Sequence, residues 1–299
     1  MAAKLGVLVI HGIGDQDARF HEKFVNEVRG RIKDRNRVVF EPIHWAPVLS
    51  ERAKQLWQEL KKDHNLNFAN TRKILINYVA DASAYQQVSM RNNVTYESIH
   101  ALVHRAVQGL LHRVEGGDSG GQAPLPQESP SPILVVAHSL GCHIMSNYIW
   151  DRQHWKPAQN GGPVADPFGG TAFERMETLI GMVTFGCNLP FFTLAFDPVL
   201  PITLPGKAIP AALKPLAKWL NYFDPEDVLG WPVKPLFLPH VAKMNRGEKE
   251  TVDRIEDRQI NVGGLLKSWN PVSHRQYWTD NDFTKPVAAY IDKLVEGLG

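Results

Sequence analysis

Disulfide cross-linking is nearly excluded at the outset: the 299 residues hold only two cysteines, Cys142 and Cys187. Two thiols in a chain this long provide no framework of bridges, and both read as small buried side chains. No cysteine/histidine cluster has zinc-ligand spacing, so no metal is expected. Charge of one sign is also missing. Lys and Arg total 33 against 31 Asp and Glu, a net +2, without the basic stripe that nucleic acid requires. Long apolar runs are scarce as well. The longest uncharged stretch, Thr178 to Phe196, approaches the length of a membrane span. Gly181, Gly186, Asn188 and Pro190 interrupt it, so it reads as a strand followed by an apolar loop, and no integral membrane segment is expected. The first apolar run, Leu5 to Ile10, begins too close to Met1 for a signal peptide with its cleavage site. A cytoplasmic location follows as the expectation.

What is present is an alternation of strand-like and helix-like runs. Strands are expected at Gly6–Ile10, Arg37–Ile43, Ile133–Ala137, Leu179–Phe185, Trp219–Phe223 and Gln259–Val262. Helices are expected near Asp17–Arg35, Glu51–Lys62, Ser98–Val114, Leu140–Asp151, Lys214–Trp219 and Lys285–Leu298. Such alternation implies an α/β fold, with a mostly parallel sheet of about six strands and helices on both faces. One domain over residues 1–299 is expected, since every later strand needs the earlier ones as partners. The Gly/Pro/Ser/Gln-rich stretch from Glu115 to Pro132 reads as a flexible surface loop. Two insertions, about 45–87 and 188–217, fall on the carboxyl side of the sheet. Apolar, proline-broken segments there suit a lid or acyl-pocket wall as well as plain packing on the core, and both insertions read as lid-like.

The run Ile133-Leu134-Val135-Val136-Ala137-His138-Ser139-Leu140-Gly141 carries the most chemistry. A buried strand turns through small-x-Ser-x-Gly directly into a helix, the context of a nucleophile elbow. The tight turn strains the serine backbone and demands small neighbours, here Ala137 and Gly141. The strand Val7-Leu8-Val9-Ile10 ends in His11-Gly12-Ile13-Gly14, whose glycines let a backbone amide turn toward the elbow. The amides of Ile13 and Leu140 are the candidate oxyanion donors, and His11 reads as a structural residue. Neither Gly-x-Gly-x-x-Gly nor Gly-Lys-Ser/Thr is present, which removes the nucleotide readings of this turn.

A serine nucleophile needs a base and a group to orient that base, and with an elbow of this kind both follow the serine along the chain. Of twelve histidines, His274 is the favoured base, because it lies on the loop between the last strand and the last helix. His240 is its rival. His138 and His143 flank the serine but are expected to point away from its hydroxyl. Three carboxylates, Asp224, Glu226 and Asp227, share the turn after Trp219–Phe223. Asp227 is favoured as the orienting acid, and Asp224 is read as shaping the Asp-Pro turn. Trp45, Phe191, Phe192 and Phe196 are candidate substrate contacts.

With His11-Gly12-Ile13-Gly14, Ala137-His138-Ser139-Leu140-Gly141 and Ser273-His274 in this order, the chain resembles the α/β-hydrolase-fold serine hydrolases of the lipase/esterase type over nearly its whole length. The resemblance implies a triad of Ser139, His274 and Asp227, a covalent acyl-enzyme, no metal and no other cofactor, and a small-molecule ester or lipid substrate. Ala137 stands where the elbow usually has its first glycine, and the usual antiparallel strands before the first parallel strand are missing. The alternatives are a non-catalytic lipid- or protein-binding relative, or a thioesterase or acyltransferase on the same scaffold.

Overall fold

A computed structural model describes residues 3–14, 16–62, 82–85, 94–116, 131–154, 170–194, 196–262 and 273–299. Six strands, β1 (Leu5–Ile10), β2 (Val38–Ile43), β3 (Ile133–His138), β4 (Leu179–Phe185), β5 (Lys218–Phe223) and β6 (Ile255–Gln259), form one sheet in the order β2-β1-β3-β4-β5-β6. Every neighbouring pair is parallel. The central strands β1, β3 and β4 are buried at every position, as expected when both faces are covered.

Side chains alternate between those two faces along each strand. Leu8, Ile10, Val135 and Met182 join a core beneath α3 (Val94–Val114) and α4 (Leu140–His154). Leu5, Val7, Val9, Leu134 and Val183 join a second core with Phe24 and Val28 of α1 (Glu22–Arg31) and with Phe283 and Ile291 of α7 (Asn281–Gly297). The remaining helices among the described residues are α2 (Pro47–Lys62), the single turn α5 (Pro190–Thr193) and α6 (Arg246–Asp253). Among the described residues no helix is long and apolar enough to cross a membrane.

Several expectations need correction. Among the described residues the last strand is Ile255–Gln259, not Gln259–Val262. It is an edge strand whose Glu256, Asp257 and Arg258 are half-buried, so the apolar signal that marks interior strands is weak there. These polar groups are nonetheless used: Asp257 accepts from the Asn221 side chain at 2.7 Å and from the Val233 amide at 2.8 Å. Lys214–Trp219 is no helix. A 3₁₀ turn covers Lys214–Leu216, Ala217 is already extended, and β5 starts at Lys218. Helix α6 is unanticipated, although its capping box, with Asn245 and Glu248 each bonding the other's backbone, is a sequence-level start signal. At the other edge, Pro42 in β2 fits a strand with one unpaired side. Of the stretch from Glu115 to Pro132, residues 117–130 lie outside the described residues, as do 63–81 and 86–93 of the first insertion.

The second insertion divides in two. Ile202, Leu204 and Ile209 are buried in the two cores, which is the plain packing role. Phe191, Leu194 and Phe196 before them are exposed, Leu194 at 93%.

Candidate active site

The chain leaves β1 toward β2 on one side and returns to β3 on the other, so the sheet changes direction between β1 and β3. Open parallel sheets bind ligands outside the carboxyl ends of the strands at such a switch point. His11-Gly12 follows β1 there and Ser139 follows β3.

Ser139 has φ of 52°, a left-handed conformation that costs a residue with a Cβ about 1–2 kcal/mol. It is the one-residue hinge between β3 and α4, and its amide donates to the Phe185 carbonyl at 3.1 Å. Leu140 opens α4, so its amide has no acceptor within the helix, and the helix dipole adds positive potential there. Gly12 packs directly on the serine: a Cβ at Gly12 would stand 2.6 Å from the Ser139 Cβ and 3.1 Å from its Oγ. Only glycine lets the β1 loop pass this close.

The Ser139 hydroxyl lies 2.8 Å from Nε2 of His274. On the other side of the ring, Nδ1 of His274 lies 2.8 Å from Oδ2 and 3.1 Å from Oδ1 of Asp227. With an ionised carboxylate as acceptor, Nδ1 carries the proton and Nε2 is free to accept from the serine. All three residues are buried. Burial acts to raise the Asp227 pKa, but hydrogen bonds from His274, the Leu229 amide and Tyr277, with the imidazole's charge, hold the carboxyl below its ordinary value. A hydroxyl, an unprotonated ring nitrogen and an anion in line can transfer a proton away from the hydroxyl as it attacks an electrophile.

Two supports escaped the sequence reading. Tyr277 donates its hydroxyl to Asp227 Oδ2 at 3.0 Å and accepts from the Asp224 amide at 2.9 Å. It follows His274 by one turn of a 3₁₀ helix, Ser273–Thr279, and side chains three apart on such a helix eclipse. That spacing was the available signal. His138 bonds through Nε2 to the His274 carbonyl at 2.7 Å, so the elbow itself tethers the backbone that carries the imidazole.

The rivals fall elsewhere. Asp224 accepts from the Glu226 and Val262 amides at 2.8 and 2.7 Å and shapes the turn. His240 lies 3.8 Å from Asp197, which is exposed. Trp45 is fully buried and stacked on the His11 ring at 5.1 Å. Its indole N–H donates to the His11 carbonyl at 2.9 Å and its backbone amide to His11 Nε2 at 3.2 Å. His11 Nδ1 then donates to the Gly12 carbonyl at 2.7 Å. Burial lowers the His11 pKa to about 3, so the ring stays neutral and fixes the loop. Ile13 is half-buried against the α3/α4 core, and the Gln16 side chain holds its carbonyl at 3.2 Å.

Of the phenylalanines, Phe192 and Phe196 line a cavity of about 170 Å³ beside α4, together with Trp150 and with His143, whose ring stacks on Phe192 at 4.1 Å. Phe191 lies outside it, edge-on to Trp231 at 5.9 Å. Among the described residues no cluster of three or more His, Cys, Asp or Glu could hold a metal ion. Both cysteines are free and buried.

Comparison of the chain with protein-family models finds no match, and comparison with curated proteins finds none either.

Proposed function

We propose that this chain is an α/β-hydrolase-fold serine hydrolase that cleaves carboxylic esters through a Ser139–His274–Asp227 triad. The observation that carries the reading is the unbroken hydrogen-bond line from carboxylate to imidazole to a serine held at φ of 52°. Its position at the sheet's switch point adds support.

In the proposed reaction, Ser139 Oγ attacks the ester carbonyl while His274 Nε2 takes its proton. The oxyanion of the tetrahedral intermediate accepts hydrogen bonds from the Leu140 and Ile13 amides. His274 returns the proton to the leaving alkoxide, and an alcohol departs from the acyl-enzyme. Water, deprotonated by the same nitrogen, then attacks the acyl carbonyl. The acid is released and Ser139 regains its proton. Asp227 keeps the imidazole in the tautomer with Nδ1 protonated and stabilises the imidazolium that forms at each step. No step calls on a cofactor.

Ser139 is fully buried, so entry of an ester depends on a cover that parts. The exposed apolar side chains Phe191, Leu194 and Phe196 mark the proposed lid. Ser139→Ala is expected to lower hydrolysis of p-nitrophenyl acetate by about 10³-fold or more at unchanged thermal midpoint, and to abolish labelling by a fluorophosphonate probe. Labelling that persists in the variant overturns the assignment.

A further inference from the structure

The cavity beside α4 has no part of the catalytic cluster in its wall: neither Ser139, His274 and Asp227 nor the β1 loop lines it. It lies between one face of α4 that includes Trp150 and the side chains of Phe192, Phe196, Leu200 and Phe237. No Lys, Arg, Asp or Glu is among the described residues that line it. Burial lowers the pKa of the lining His143 to about 3, so that ring is neutral as well.

The polar atoms of the wall are spent on the protein. The His143 ring stacks on Phe192, 4.1 Å between centroids and 9° between planes, and its Nε2 meets the Asn147 amide at 3.3 Å. Tyr85 engages the same carboxamide. The Thr193 hydroxyl donates to the Pro190 carbonyl at 2.9 Å. Ser146, inside α4, can turn its hydroxyl to the carbonyl one turn back. A charged ligand would give up its water here and find no counter-charge. A neutral ring has little to lose, and Trp150 and the three phenylalanines can meet its face and edges. Size narrows the class further. An apolar protein cavity of about 150 Å³ stays dry and takes up benzene, and this one measures about 170 Å³.

The cavity also joins two parts of the molecule. Phe192 lies on α5 between the side chains that mark the proposed lid, and Phe196 is one of them, whereas α4 is the helix directly after Ser139. A molecule held between them keeps its contacts only while the lid stays against α4. A ligand that binds one of two states better shifts the population toward that state. Ser139 is fully buried with the lid in this position, so an occupied cavity favours the covered serine. Resting, for its effect on turnover, on the ester-hydrolase reading, we infer that the cavity is a second ligand site, for a neutral one-ring aromatic molecule, whose occupancy holds α5 against α4 and slows hydrolysis without competing with the ester.

Benzene is the probe, and binding and turnover are read separately. Calorimetry on the wild-type chain is expected to show one saturable site with a Kd of about 1 mM or tighter for benzene and none for benzoate. Phe196→Ala, at an exposed position, removes one wall and is expected to weaken benzene by about fivefold. Ser146→Phe fills the space and is expected to abolish its binding. No saturable site in the wild type overturns the inference, as does benzoate binding as tight as that of benzene, or a benzene affinity that neither substitution changes. With p-nitrophenyl acetate as substrate, saturating benzene is expected to lower kcat by about threefold at unchanged KM, and Ser146→Phe is expected to lose that sensitivity. Benzene that binds an active enzyme and leaves kcat alone overturns the effect on turnover. Saturable benzene binding by a wild type that hydrolyses no ester sinks the ester-hydrolase reading and leaves the ligand site standing.

Discussion

Two aspartates three positions apart on one turn have separate duties. Asp227 points both oxygens at His274 Nδ1, whereas Asp224 spends its oxygens on the amides of Glu226 and Val262. Asp227→Asn presents an amide in place of the anion and favours the wrong imidazole tautomer. The expected loss in kcat is on the order of 10³–10⁴ with little change in thermal midpoint. Asp224→Ala leaves buried amides unbonded, a cost of about 1–3 kcal/mol, and is expected to show first as a lower denaturation midpoint. Steady-state kinetics beside thermal melts of both variants checks the division. Equal catalytic losses would remove Asp227's special place. Tyr277→Phe tests the next layer. Without its hydroxyl, Asp227 gives more of its charge to the imidazole, so the acid limb of the kcat/KM profile is expected to move to higher pH. A merely structural tyrosine would lower the plateau and leave the limb in place.

At the scale of elements, the site depends on segments following five strands, β1, β3, β4, β5 and β6, closing on one point. Gly186, directly after β4, has φ of 52° and lies under the imidazole, where an added Cβ would stand 2.9 Å from His274 Cε1. Gly186→Ala is therefore expected to strain the turn by about 1–2 kcal/mol and to displace His274, lowering kcat at least tenfold for p-nitrophenyl acetate. Helix α6 shows the opposite case. Its capping box is remote from this cluster, so Asn245→Ala is expected to cost about 1 kcal/mol of stability in urea denaturation with kcat unchanged. Legibility of the elements follows the same physics. β1, β3 and β4 are buried on both faces, and their continuous apolar runs announced them. β6 packs at an edge, where Glu256 pairs with Lys218 and Arg258, and its charged sequence resembled a loop.

For the whole molecule, three histidines record the cost of burial. His11, His100 and His143 all have pKa values lowered to about 3, chiefly by desolvation. In the unfolded chain each returns to about 6.5. Between those values the unfolded state binds more protons than the folded one, so stability is whole above about pH 6.5 and is lost as pH falls toward 3, by up to about 1.4 kcal/mol per unit for each group. The Asp227 carboxyl, held below its ordinary value, adds to the loss in the same direction at still lower pH. Urea midpoints measured at pH 7 and pH 5 are expected to fall markedly at the lower pH. His100→Gln, which keeps a neutral partner for the Tyr85 hydroxyl at 2.8 Å in the native protein, is expected to flatten that slope. A pH-independent midpoint would mean that these rings are hydrated in the folded state.

The amino-acid order alone determined the succession of parallel strands and helices and the strained serine between β3 and α4, because both are written in local patterns: apolar periodicity, small flanking residues and the strand-to-helix turn. Which carboxylate faces which imidazole was decided only by the fold. The residues that meet there, Ser139, Asp227 and His274, are far apart along the chain, and local preference cannot choose among neighbours such as Asp224 and Asp227. Trp45 makes the same point. Its indole is buried beneath His11, where its large apolar area and its N–H are both satisfied. Tertiary packing assigns such side chains by the surface and hydrogen bonds available on all sides, information that no short window of sequence contains.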